Sequence, residues 1–311
     1  MRISGTFLDE ISHDIPHQNW GRKEWDLDFQ HMRQAGIDTV ILIRCGYKRW
    51  MCYNSPYLQK EEMVYAPIDD LVSLFLDLSE KYNMKFYFGL YDSGKYAWEQ
   101  NDYEKEADIN RYVVDEVWDI YGEHPAFGGW YLSQEISRKH NGAIKYYQSL
   151  GLHCRQISDG LPILVSPYID GSKALLSSEG SLRKQSVAIH DHEQEWDEIL
   201  DGLSGVVDTI AFQDGQVDIH LLDQYLHLHK KLADKYGIAS WSNVESFDRD
   251  MPIKFLPIKW EKLHKKMDAA KKAGVEKLIT FEFSHFMSPQ SSYPQARHLY
   301  NRYKEFIDGQ S

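Results

Sequence analysis

The chain has 311 residues, of which 42% are hydrophobic, 26% charged and 14% aromatic; this is a globular composition that argues against disorder. A formal net charge of -12 argues against nucleic acid or an anionic membrane as partner, since both attract clustered Lys and Arg. The opening MRISGTFLDEI has no secretory leader, no apolar run of ~18 residues could span a bilayer, and the three cysteines lack disulfide or zinc spacing, so a cytoplasmic protein is expected.

In chain order, short apolar runs alternate with amphipathic stretches. Strands are expected at Ile3–Leu8, Thr39–Arg44, Lys85–Tyr91, Gly128–Leu132, Pro162–Ser166, Thr209–Gln213, Ala239–Val244 and Lys277–Phe283. Helical periodicity covers Glu24–Gly36, Asp69–Tyr82, Tyr103–Tyr121, Ile144–Ser158, His192–Leu203, Leu221–Tyr236, Lys259–Ala273 and Gln295–Phe306. Gly36, Gly237 and Gly274 stand where a helix end takes a left-handed residue. Eight strand–helix pairs over residues 1–311 fit a single (β/α)8 TIM barrel of the α/β class, and no GxGxxG or P-loop supports a nucleotide-binding sheet. The segments Lys48–Pro67, Tyr91–Asn101 and Ile169–Ser186 are long enough to wall a cleft at the C-terminal face of the strands, where such barrels build their sites.

Strand after strand ends in a polar group. The tips supply Asp9, Glu10, Arg44, Asp92, Gln134, Glu135, Gln213, Asp214, Asn243, Glu245 and Glu282. Glu135 ends strand four and Glu245 ends strand seven, so the two approach each other across the barrel mouth. Paired carboxylates cleave glycosidic bonds, one protonating the leaving oxygen and the other attacking the anomeric carbon or activating water, with ~5 Å between them for retention and ~6.5–9.5 Å for inversion. Arg44 is expected to hold Glu245 ionised, and the apolar surroundings of Trp130 and Tyr131 to keep a proton on Glu135. Arg44, Asp92, Gln134, Tyr168, Gln213, Asp214, Trp241, Asn243 and Glu282 are the candidate substrate-binding residues. Tyr168 and Trp241 are joined by Trp20, Tyr47, Trp50, Tyr91 and Trp98 as rings able to stack on a sugar.

The order of elements, the glutamates after strands four and seven and the arginine after strand two resemble the clan of retaining glycoside hydrolases on TIM barrels. More narrowly, TFLDEISHDIPHQNWGRKEW, HMRQAGIDTVILIRCGYKRW, GGWYLSQEIS and AFQDG resemble a bacterial family of unknown function described as glycosyl-hydrolase-like barrels. The resemblance implies a retaining hydrolase with Glu135 as acid/base and Glu245 as nucleophile, acting on an oligosaccharide or glycoside without a cofactor. The clan has Asn before its strand-four glutamate, contacting the sugar 2-hydroxyl, where this chain has Gln134. It also places Trp late in strand eight, where Phe281, Glu282 and Phe283 stand, so Glu282 competes with Glu245 for the second role.

Two other readings stand beside this one. A barrel that binds carbohydrate without cleaving it would use the same carboxylates as acceptors only. A metal-dependent hydrolase would draw on His13, His17, the HDH of 190–192, the LHLH of 226–229 or His285. The LHLH histidines point about 200° apart on a helix, so no metal is assigned. Sugar, anomer, linkage and oligomeric state are not encoded in any of these motifs.

Overall fold

A computed structural model describes residues 1–12, 15, 17–140, 142–171, 187–250 and 255–309; His13 and the part of the expected loop Ile169–Ser186 from 172 onward lie outside them. Eight strands form a closed parallel barrel: β1 (Ile3–Leu8), β2 (Thr39–Leu42), β3 (Lys85–Gly89), β4 (Phe127–Tyr131), β5 (Ile163–Val165), β6 (Thr209–Gln213), β7 (Ala239–Asn243) and β8 (Lys277–Thr280). Closure runs from β1 to β8, with Gly5 opposite Ile279 and Thr6 opposite Thr280. The outer helices are α1 (Arg22–Gln34), α2 (Leu71–Lys81), α3 (Tyr103–Tyr121), α4 (Ala143–Ile157), α5 (Ile189–Leu203), α6 (Leu222–Lys235), α7 (Trp260–Ala273) and α8 (Pro294–Asp308). The fold is the expected (β/α)8 barrel.

Local chemistry sets these boundaries. Asp70 accepts the Ser73 N–H at 2.9 Å and Asp102 the Lys105 N–H at 3.0 Å, capping α2 and α3. Gly36, Gly237 and Gly274 all take positive φ, as the turns after α1, α6 and α7 demand. The last helix is tied to the first strand, because the Tyr303 hydroxyl receives the Ile3 N–H at 2.9 Å and donates to the Ile3 carbonyl at 3.2 Å. No helix among the described residues is long and apolar enough to cross a membrane.

The apolar residues divide into two layers. Inside the barrel lie Phe7, Ile41, Ile43, Tyr87, Tyr131, Leu164, Ala211 and Ile279. A larger layer, including Trp25, Phe75, Trp130 and Trp196, packs between strands and helices. Trp130 belongs to that outer layer, its indole N–H donating to Ser158 Oγ at 3.1 Å, so it does not surround Glu135 as expected from sequence. Trp241 sits inside the barrel against Tyr87, with the Lys277 ammonium 5.0 Å from its ring. Lys277 starts β8 and also binds Asp38 at 2.6 Å, which places Trp241 toward the N-terminal end of the barrel, where it packs on the interior layer.

Three of the connecting segments fold into more than loops. Gly46–Tyr47, Trp50–Met51 and Tyr91–Asp92 make a small sheet over the mouth, and Phe247–Asp248 pairs with Leu256–Pro257. Strand eight stops at Thr280, shorter than expected, because Glu282 caps a helical turn at Phe283–Phe286.

Gly89 lets two strands approach: a Cβ there would lie 2.0 Å from the Leu42 carbonyl oxygen, and backbone cannot yield as a side chain does. Gly89→Ala should therefore remove on the order of 3 kcal/mol of stability, measured as a lower urea midpoint at unchanged m value. A midpoint equal to that of the parent protein would contradict the close approach.

Candidate active site

Side chains alternate along a strand, so residues two apart share a side. The interior residues Ala211, Trp241 and Ile279 are thus followed on the same side, nearer the mouth, by Gln213, Asn243 and Phe281, and Glu135 joins them from the segment that follows β4. All four line a cavity of about 410 Å³. Ile43, Arg44, Tyr47, Asp92, Trp98, Glu245 and Arg249 complete much of its wall. Six of the expected site residues, Arg44, Asp92, Glu135, Gln213, Asn243 and Glu245, are brought together here.

Glu135 opens only to the cavity and is otherwise enclosed by protein. Burial pushes its carboxyl up to about 7, against the opposing pull of the Arg44 guanidinium, a hydrogen bond from Gln213 and the charge of Arg249. Arg44 lies amid the charges of Asp92, Glu135 and Asp9. It reaches Ser12 Oγ at 3.4 Å and stands 5.3 Å from the Tyr47 ring. Its Nε has no hydrogen-bond partner among the described residues, nor has Asn243 Oδ1; the Asn243 amide donates to Ser166 Oγ at 3.3 Å. Arg44 Nε and Asn243 Oδ1 are both buried.

The partner of Glu245 differs from the one expected. Arg249, not Arg44, grips it with a two-pronged fork, Nε to Oε2 and Nη2 to Oε1, both at 3.0 Å. Arg249 stands in the loop after β7, a position that only the lone arginine of SFDRD marks in sequence. The Glu245 carboxylate is also pressed against Gly215, where a Cβ would fall 1.7 Å from Oε2.

Several expected contacts lie off the cavity wall. Gln134, next to Glu135, has its side-chain amide 3.5 Å from Glu106, and its main-chain carbonyl accepts from the Tyr147 hydroxyl. Asp214, next to Gln213, is buried outside the barrel on Lys266 at 2.7 Å and receives the Glu245 N–H at 3.1 Å, so it positions Glu245 through its main chain. Tyr168 is half-buried, bridging to Gln213 through backbone, and does not line the cavity. Glu282 is fully buried, accepting the Ser284 and His285 N–H groups and lying 2.5 Å from His285 Nδ1; it too is absent from the cavity wall.

The histidines are accounted for differently from one another. His192 and His229 meet in the interface of α5 and α6, Nε2 to Nε2 at 2.8 Å, with His229 stacked on Phe212. His227 is exposed and bonded to the Asp223 carbonyl. Among the described residues, no three His, Cys, Asp or Glu side chains are grouped to hold a metal.

Residues 3–293 match the family model described as "Domain of unknown function (DUF4434)". The chain is 59% identical to a crystal structure from Bacteroides thetaiotaomicron described as a "putative alpha-L-fucosidase", covering 99% of this chain and 93% of that one with a TM-score of 0.94. It shares its fold with an endo-1,4-beta-D-mannanase from Thermotoga petrophila at 12% identity, 97% and 99% coverage and TM-score 0.60. The same holds for an intracellular xylanase from Thermoanaerobacterium saccharolyticum at 13% identity, 90% and 85% coverage and TM-score 0.52. No curated protein matches the sequence.

Gly215→Ala tests the seat of Glu245. The added methyl should drive the carboxylate off Arg249 at a stability loss of about 1–3 kcal/mol, seen in a crystal structure as a broken fork with the barrel intact. An undisturbed fork would contradict the packing described.

Proposed function

The chain belongs to the DUF4434 family, and from that premise we propose that residues 1–311 form one catalytic barrel that hydrolyses a glycosidic bond. The observation that carries this reading is the pairing, in one cavity, of a carboxyl whose burial favours its protonated form with a carboxylate held in a guanidinium fork. The likeness to the Bacteroides protein, at 59% identity over nearly the whole of both chains, supports the same class and puts an alpha-L-fucoside among the first substrates to try.

In the retaining mechanism proposed here, Glu135 gives its proton to the glycosidic oxygen as the bond to the anomeric carbon breaks. Glu245 attacks that carbon and forms a glycosyl ester. Glu135, now a carboxylate, takes a proton from water, whose oxygen attacks the anomeric carbon and releases Glu245. Arg249 has to swing aside for this, since Glu245 is 2% exposed under it while Arg249 itself is 30% exposed. Arg44, Asn243, Gln213 and Asp92 line the same cavity and offer guanidinium, amide and carboxylate groups to sugar hydroxyls.

The experiment is a panel of aryl α- and β-glycosides, fucosides included, assayed with the parent protein and Glu135→Gln in the presence and absence of a chelator. Turnover of at least one member should survive the chelator. Glu135→Gln should lose about 10²–10⁴-fold on poor leaving groups and much less on good ones, which need little protonation. Equal loss across leaving groups would remove Glu135 from the acid role, and turnover abolished by the chelator would favour a metal-dependent hydrolase.

The pH profile carries a sign. With the acid form of Glu135 required and its carboxyl at about 7, kcat/KM should fall as pH rises through about 7. Arg44→Met removes a positive charge that draws the carboxyl downward, so the basic limb should move to higher pH; a limb that stays or moves lower would contradict the assignment.

A further inference from the structure

We propose a second sugar-binding surface outside the cavity, an aromatic platform of Trp50 and Tyr65 that takes a pyranose unit of an oligosaccharide whose scissile bond lies between Glu135 and Glu245. It rests on the hydrolase reading and extends it from a glycoside to a chain.

The platform grows out of the cavity wall. Tyr47, which lines the cavity, pairs with Trp50 across a two-residue hairpin, and Gly46 and Tyr47 pair in parallel with Tyr91 and Asp92. Directly opposed residues of an antiparallel pair share a face with their Cβ atoms about 5 Å apart. Trp50 therefore continues outward the surface that Tyr47 begins. It is 63% exposed, and Tyr65, 5.3 Å from it ring to ring and 60° inclined, is 45% exposed.

These rings are exposed and yet fixed. The Tyr65 N–H donates to the Arg49 carbonyl at 2.8 Å, Arg49 Nε donates to the Met63 carbonyl at 2.7 Å, and the Arg49 guanidinium stands 4.3 Å from the Tyr65 ring. The Arg49 guanidinium by the Tyr65 ring and the Tyr65 main-chain bond to the hairpin place that ring, and Trp50 meets it edge to face, before any ligand arrives, which lowers the ordering loss on binding. Large exposed aromatics immobilised in this way beside a polar cavity fit a ligand with apolar CH faces and peripheral hydroxyls, such as a pyranose, better than a buried apolar partner. Arg49 and Lys48 on the same hairpin add donors for those hydroxyls.

Trp50→Ala and Tyr65→Ala are compared with the parent protein on an aryl glycoside from the panel and on a tetrasaccharide of the same sugar. The short aryl glycoside does not reach the platform and is the internal control. Each variant should lower kcat/KM on the tetrasaccharide about tenfold, through KM, and leave the aryl glycoside within about twofold. Equal losses on both substrates, or none on either, would overturn the platform while leaving the hydrolase standing. Should no glycoside be turned over, calorimetric titration of Glu135→Gln with neutral oligosaccharides decides: binding weakened about tenfold by Trp50→Ala supports the platform without the hydrolysis, and binding indifferent to it overturns the platform. Sedimentation that shows a dimer converted to monomer by Trp50→Ala would also overturn it, identifying the patch as a contact between copies.

Discussion

The alternation of a pleated strand decides which side chains of β6, β7 and β8 reach the mouth of this barrel. At the end of β6, Gln213 faces the cavity and its neighbour Asp214 faces Lys266. Where the chain has left the strand the rule lapses: after β2 both Ile43 and Arg44 line the cavity, and after β4 Glu135 lines it while the Gln134 side chain reaches Glu106. The outward Asp214 supports an inward residue. Asp214, in its buried ion pair, receives the N–H of Glu245, and Lys266 also donates to the Glu245 carbonyl at 3.2 Å, so the acid on one strand fixes the backbone beneath the carboxylate on the next.

Burial raises many carboxyls, and position decides which of them matters. Glu10, Asp28, Glu106 and Glu135 are all pushed up to about 7 by desolvation. Asp28 spends its oxygens on the Ser284 and Ser288 hydroxyls and Glu106 on Ser93, which are structural tasks behind the barrel wall. Of the four, Glu135 alone lines the cavity. A perturbed carboxyl is thus a poor guide to chemistry without the geometry that exposes it to a substrate.

The barrel was legible in the sequence because its signals are local. Apolar runs, amphipathic stretches and glycines after helices placed all eight strands and all eight helices within a few residues. The inward carboxyls Glu135 and Glu245 were legible as strand tips for the same reason. What sequence did not show depends on contacts across space. The guanidinium serving Glu245 comes from Arg249, in the loop after β7, while Arg44 is drawn to Asp92, Glu135 and Asp9. Gln134 and Asp214 were read as mouth residues beside their neighbours, and nothing in either dipeptide marks that their side chains reach Glu106 and Lys266. Glu282 looked like a strand tip because Lys277–Phe283 is rich in β-branched and aromatic residues, yet its carboxylate ends the strand early by capping the turn that follows.

The central claim is that Glu245 becomes covalently linked to the sugar while Glu135 moves the proton. The most direct measurement is peptide mass mapping after incubation with a 2-deoxy-2-fluoro glycosyl fluoride of the sugar that the protein turns over, a reagent that forms the ester and slows its hydrolysis. The account predicts one added fluoroglycosyl mass, on the peptide containing Glu245 and lost in Glu245→Gln. The same mass on Glu282, Asp92 or Glu135, or turnover of the parent sugar with no trapped ester at all, would contradict it.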